Sequence, residues 1–274
     1  MLGNRKNAGK TTLMNLALAH IRKVENPAFC TIGIDGEGND HIDGSTKPLI
    51  RTCAGDCIVT TSPMLKKSNG LFKIHKVFPY HTALGQIVVA TTLRAGNIEL
   101  VGPENNTQLN TIIKFLNTEL LFKTVIIDGA ASRLTPISAI NNAAFFYLLS
   151  IDQRNLAKSL DNMRLLSLCS QLEKVTESDL KNREWYTIEG ALTANKLSSI
   201  PKDSKGIVVH NLSSLFLTYS QLNRLMQKMT IKVNKPSKLN GFIVILKDLE
   251  EQEFNRLYQE SKIQTEVIFN PYVN

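Results

Sequence analysis

The sequence is short of cysteine, of aromatic residues and of charge: 4 Cys, 7% aromatic and 20% charged residues in a chain of 274. Each shortage excludes something. Four cysteines are too few for a disulfide-stapled scaffold and read as the reduced thiols of a cytoplasmic protein. A chain of this length buries a sizeable core without a staple or a structural metal. Low charge beside 43% hydrophobic residues excludes a disordered chain. No apolar run approaches the roughly 20 residues that a membrane helix needs; the longest, Ala143 to Leu149, is far shorter. No export signal opens the chain, because Arg5, Lys6 and Lys10 lead into an amphipathic stretch. There is no internal repeat, low-complexity segment or Pro/Ser-rich linker. The expectation is a soluble, globular, cytoplasmic protein.

Charge of one sign is in modest excess, with 32 Lys+Arg against 24 Asp+Glu and a net charge of +8. The cations are scattered and never exceed two in succession. No basic arm or basic helical stripe designates a nucleic-acid groove, so nucleic acid is not the expected partner. A diffuse field of this kind attracts acidic partners or polyanions in general.

Strand-like runs alternate with helical ones. Thr11 to Arg22 has helical spacing at Leu13, Leu16, Ala17 and Ile21. Strands are predicted around Thr31 to Ile34, Leu49 to Cys53, Gln86 to Thr92, Ile98 to Gly102 and Thr124 to Ile127. Later ones are Ile207 to His210, Thr230 to Val233 and Phe242 to Leu246. Helices are predicted over Ile58 to Lys67, Asn106 to Phe122, most of Ile137 to Val175, Tyr219 to Met229 and Leu249 to Ser261. This alternation predicts a three-layer α/β fold with a mostly parallel sheet covered on both faces. One domain over 1–274 is expected, with a helical elaboration around 137–183 and its weakest seam over 176–183.

The segment that carries chemistry is Gly3-Asn4-Arg5-Lys6-Asn7-Ala8-Gly9-Lys10-Thr11-Thr12. Gly9-Lys10-Thr11 opens a helix after a short strand-like start, the setting a phosphate loop requires. Small residues let backbone N–H groups approach phosphate oxygens, and the helix N-terminus adds unpaired donors and a positive dipole end. Asn4, Arg5, Lys6, Asn7, Ala8, Gly9, Lys10, Thr11 and Thr12 are therefore the expected nucleotide-binding residues. Lys10 would reach the β- and γ-phosphates, and the Thr11 hydroxyl would complete a Mg²⁺ shell. The Walker A spacing places its first glycine where Asn4 stands; Asn tolerates left-handed backbone angles, so the turn stays feasible.

Two strand-end carboxylates complete the set. Val125-Ile126-Ile127-Asp128-Gly129 is an apolar strand ending in an acid, the Walker B arrangement, and Asp128 could hold a magnesium-bound water. Asp128 before Gly129 is also a common turn pairing. Asp35, in Ile32-Gly33-Ile34-Asp35-Gly36-Glu37, could position the attacking water or the metal, with Glu37 or Asp40 as alternates; a solvated acidic loop is the other reading. Lys10, Asp35 and Asp128 are the candidate catalytic residues, and Thr11, Asp35 and Asp128 the candidate metal ligands. Asn195-Lys196-Leu197-Ser198 and Asn234-Lys235-Pro236-Ser237 lack the Asp of a guanine-reading segment, which favours ATP. Cys53 and Cys57 have no second pair and do not form a zinc pattern. No G-x-S-x-G elbow occurs.

These residues resemble the SIMIBI branch of P-loop NTPases, the group that includes dethiobiotin synthetase and MinD-like ATPases. Where MinD-type loops carry a signature Lys, this chain has Arg5, with Lys6 next. More narrowly, Lys6 to Thr12, Ile32 to Glu37, Thr46-Lys47-Pro48 and Asp128-Gly129-Ala130 are similar to the P-loop subunit of lysine 5,6-aminomutase reactivases, over roughly residues 3–135. The resemblance implies ATP and Mg²⁺ as ligands and a P-loop NTPase fold. It further implies an ATP-driven chaperone that helps a cobalamin- and pyridoxal-phosphate-dependent aminomutase exchange damaged cofactor, together with a second ATPase subunit. Two other outcomes stay open. One is a ligase or kinase of the dethiobiotin-synthetase type, its pocket lined by Lys47, Arg51 and the Gly129 to Arg133 loop. The other is a non-catalytic nucleotide-binding protein.

Overall fold

The computed structural model describes residues 1–3, 9–32, 50–129, 143–181 and 184–269. Contacts gather them into two compact units, Met1–Ala139 with Pro271–Asn274, and Ile140–Asn270.

The first unit runs β1 (Leu2–Gly3), α1 (Lys10–Ile21), β2 (Ala28–Thr31), β3 (Ile50–Thr52), β4 (Cys57–Thr61), α2 (Ser62–Lys67), β5 (Leu71–Thr82), β6 (Gly85–Arg94), β7 (Gly96–Ile98), α3 (Asn106–Thr118) and β8 (Val125–Asp128). Its sheet has the order β5-β6-β4-β2-β8. β2 pairs parallel with β4 and with β8, whereas β4–β6 and β6–β5 are antiparallel. β3 and β7 form a separate antiparallel ribbon. On one face α1 buries Met14 and Leu18 against Phe29, Ile58, Ala90 and Ile126. Each such fully buried side chain stabilises the fold by about 1.5–3 kcal/mol. On the other face lies α3, whose Phe115 meets Phe78 of β5 edge-on at 5.7 Å, with the Lys76 ammonium 4.7 Å above the Phe115 ring. Helix, sheet and helix make the three layers. α3 begins where its sequence says it should: the Asn105 side chain accepts a hydrogen bond from the Gln108 amide at 3.0 Å.

The second unit contains β9 (Ala144–Ile151), α4 (Leu156–Ser170), α5 (Glu177–Lys181), β10 (Trp185–Thr187), β11 (Leu192–Thr193), β12 (Gly206–Asn211), β13 (Leu215–Phe216), α6 (Tyr219–Met226), β14 (Thr230–Lys235), β15 (Lys238–Leu246), α7 (Glu251–Glu260) and β16 (Val267–Phe269). β9, β15 and β16 lie side by side in that order, all parallel. β10, β12 and β14 form a second parallel sheet, and β11 pairs parallel with β13. A capping box starts α6, with Thr218 and Gln221 exchanging side-chain and backbone bonds. Lys232 of β14 bonds Asp179 of α5 at 2.9 Å and lies 5.0 Å from the Trp185 ring centroid. Across both units the chain is an α/β protein in which parallel pairings predominate.

The elements differ from expectation in several places; the strand expected around Thr31 to Ile34, for one, begins earlier, at Ala28. The helical run expected over 137–175 contains β9, because the apolar stretch ending in Leu148 and Leu149 is a mostly buried parallel strand, which reads like a buried helix. The helix expected from Ile58 begins at Ser62, where Pro63 occupies the first turn; the residues before it are β4, wholly buried. The strand expected over Ile98 to Gly102 lies instead at Gly96–Ile98. β5 is not predicted at all. Its pairing with β6 shifts register between Leu71 and Phe72, between Ile74 and Lys76 and between Val77 and His81, and these bulges break the two-residue alternation that marks a strand.

One ion pair fixes the far end of α1. Arg22, just past the helix, reaches Asp56 at 2.5 Å, and Asp56 is fully buried. Asp56 also accepts a hydrogen bond from the Cys53 amide at 2.7 Å, while Arg22 donates to the Arg51 carbonyl at 2.8 Å. The cation suits the negative end of the helix dipole. Removing one partner strands a buried charge, so Asp56→Ala should lower the unfolding free energy by about 3–5 kcal/mol in urea denaturation.

Candidate functional site

The site is built where strands of the first unit end. β2 and β8 run parallel with Thr31 opposite Asp128. The Asp128 carbonyl accepts from the Thr31 hydroxyl at 3.1 Å and from the Ile32 amide at 3.2 Å. On the other side of β8, the Met1 nitrogen donates to the Ile127 carbonyl at 2.6 Å and the Gly129 amide donates to the Met1 carbonyl at 2.8 Å. The chain entering β1 thus lies parallel to β8, level with Asp128. The carboxyl ends of these segments are where α/β proteins place ligands.

Glycines permit the close packing. A Cβ on Gly129 would stand 2.4 Å from Leu2 Cδ2 and 2.9 Å from the Met1 carbonyl oxygen. A Cβ on Gly102 would come within 1.8 Å of the Thr31 carbonyl oxygen. Gly9, just before α1, has φ 87° and ψ 16°, a left-handed conformation that glycine adopts without strain. Its carbonyl accepts from the Leu13 amide at 2.9 Å, which makes it the first acceptor of the helix. Glycine at the N-cap offers no side chain to the first amides of α1, and no acidic residue stands in its first turn. The positive end of a helix is a favourable place for an anion.

Lys10 and Thr11 occupy the first turn of α1, both half-buried, and Thr12 is exposed. α1 packs on β8. Charge links the two: the Met1 amino group, its pKa lowered by burial, is drawn up by Asp128 and Cys30 and pressed down by the Lys10 cation. Asp128 is buried, with 7% of its surface exposed. Burial pushes the neighbouring Cys30 thiol up to about 12, so it stays protonated and serves as a small apolar residue.

Of the expected set, the structure places Gly9 just before α1, Lys10, Thr11 and Thr12 in its first turn, and Asp128 at the end of β8, against which α1 packs. Asn4, Arg5, Lys6, Asn7, Ala8 and Asp35 lie outside the described residues, as do Glu37, Asp40 and Lys47. Arg51 stands on β3 opposite Asn97 and lines a cleft of about 310 Å³ with Asn69, Ala95 and Gly96. Thr31 and Gly102 belong to the site and were not singled out in the sequence. Thr31 ends a β-branched strand, but nothing in its own segment signals the hydroxyl's bond across to β8.

The oxygen and ammonium groups present fit a magnesium triphosphate: an ammonium for phosphate, and a hydroxyl and a carboxylate for a hard cation. Among the described residues no cluster of three His, Cys, Asp or Glu suits a protein-only metal site. No family model, curated protein or solved structure matches the chain. Gly102→Ala should displace the end of β2 and lower the unfolding free energy by about 1–3 kcal/mol, measured by thermal and urea melting.

Proposed function

We propose that the chain is an ATP-binding P-loop protein acting as a slow, Mg²⁺-dependent ATPase whose nucleotide state switches its grip on a protein partner. The observation that carries the reading is the first turn of α1, opened by left-handed Gly9 and led by Lys10, on a helix that packs against β8, the strand that ends in buried Asp128. Phosphoryl transfer asks little covalent chemistry of a protein; catalysis rests on positioning and on stabilising charge. Lys10 would hold its ammonium against the outer phosphates, with the amides of the first turn of α1 as donors. Thr11 and Asp128 would hold Mg²⁺ directly or through water, and Asp35 would orient the attacking water. Magnesium, when bound, neutralises charge on the phosphate oxygens. The SIMIBI resemblance supports this reading, and the likeness to aminomutase reactivases makes the proposed partner a cobalamin-dependent aminomutase, served together with a second ATPase subunit.

Lys10→Ala should abolish ATP binding in a calorimetric titration of the folded variant; affinity equal to that of the parent would remove the nucleotide reading. Asp128→Asn should reduce Mg²⁺-dependent turnover on the order of 10²-fold while weakening nucleotide binding far less. The reverse pattern would make Asp128 a structural residue. Phosphate released without a small acceptor supports the switch, whereas an acceptor-dependent phosphorylated or ligated product contradicts it.

A further inference from the structure

β5 is the outermost strand in the order of its sheet and among the longest strands of the chain, running from Leu71 to Thr82. One edge pairs with β6; no described strand pairs with the other. Apart from Pro79, which has no N–H, such an edge presents unpaired N–H and C=O groups that another strand can pair with.

The bulges that hid β5 from the sequence sort its side chains by face. Leu71, Phe72, Ile74 and Val77 stand opposite Arg94, Thr92, Ala90 and Val88, the even-numbered face of β6. Lys73 and Lys76 stand opposite Thr91 and Val89, the odd-numbered face. Phe72 packs on the core under α1, but Leu71, Ile74 and Val77 remain 52%, 51% and 48% exposed. Singly exposed apolar side chains need no explanation; three aligned along an unpaired edge form a patch.

Charge names the occupant. From Cys57 through Ile98 the chain has no Asp or Glu, while it has Lys66, Lys67, Lys73, Lys76 and Arg94 together with His75 and His81. This segment therefore carries five of the eight net positive charges of the chain. A second copy of β5 would meet like charge, so self-pairing is opposed. A nucleic acid would satisfy the cations but would leave the aliphatic strip against water.

We propose that the outer edge of β5 docks an acidic, extended segment of a partner polypeptide, which adds to the sheet as a further strand. Backbone bonds supply the pairing, the aliphatic strip takes alternate side chains, and the surrounding lysines select acid. The proposal does not depend on nucleotide binding.

The test uses the full chain without nucleotide and a blocked octapeptide of alternating Glu and Val as probe, followed by fluorescence anisotropy and amide hydrogen exchange. The acidic peptide should bind at least about tenfold tighter than its Lys/Val counterpart and should slow exchange within 71–82. Lys73→Glu with Ile74→Glu should weaken binding at least about tenfold without lowering the thermal midpoint. Lys76 is kept, since it stands over the Phe78 and Phe115 rings. Equal affinity for the two peptides, or unchanged exchange in 71–82 when the acidic peptide binds, would overturn the proposal. So would concentration-dependent dimerisation that protects β5, or an oligothymidylate that protects it as well as the acidic peptide does.

Discussion

The carbonyl oxygen of Asp128 is the constraint on which the site depends. It accepts from Thr31 and from Ile32, so both of its lone pairs are engaged by the end of β2. The Ile127 carbonyl and the Gly129 amide, on either side, bond the chain entering β1. This ladder sets the register of three segments at one level. A slip of one residue would turn the Asp128 side chain to the opposite face of the sheet. The glycines serve the same end, since a methyl group at position 102 or 129 would force adjoining segments apart. Arg22 and Asp56 secure the far end of α1, while Met14 and Leu18 anchor its buried face. The helix start therefore has little freedom to move away from β8.

Much of the architecture was legible because it rests on local pattern. The β-branched run before Asp128 is a buried parallel strand, and the spacing of Leu13 and Leu16 to Ile21 is a helix, as read. Thr218 and Gln221 cap a helix within three residues of the expected region. Errors arose where one pattern serves two structures. A short, wholly apolar run such as β9 has no period to distinguish strand from helix. β4 was joined to α2 because its buried side chains continue the apolar face of the following turn. β5 was invisible because three register shifts scramble its alternation. Of the candidate site, Lys10, Thr11 and Asp128 were legible as motif residues. Thr31 and Gly102 were not, because their roles arise from backbone approach between segments distant in sequence.

The chain separates two kinds of chemistry within its first unit. At the carboxyl ends of β2 and β8, the buried carboxylate of Asp128 lies at the end of the strand on which α1 packs, with Lys10 in the first turn of that helix. At the opposite edge of the same sheet, β5 gathers cations with no acid among them, exposed to water and screened by salt. The first arrangement is proposed to take a small, highly charged ligand and the second an extended segment. β4 and β6 connect them through a continuous ladder, Cys57 to Thr61 against Thr91 to Ile87. The Cys57 thiol is pushed up to about 12 by burial within that ladder and remains an inert core residue.

The central claim is that the first turn of α1 and the end of β8 embrace the tail of a triphosphate. Residue-resolved amide exchange of the full chain, with and without a magnesium complex of a non-hydrolysable ATP analogue, tests it most directly. The account requires slowed exchange at Lys10, Thr11 and Thr12 and at Gly129. Unchanged exchange there, with protection appearing instead around the Arg51 and Asn97 cleft, would contradict it.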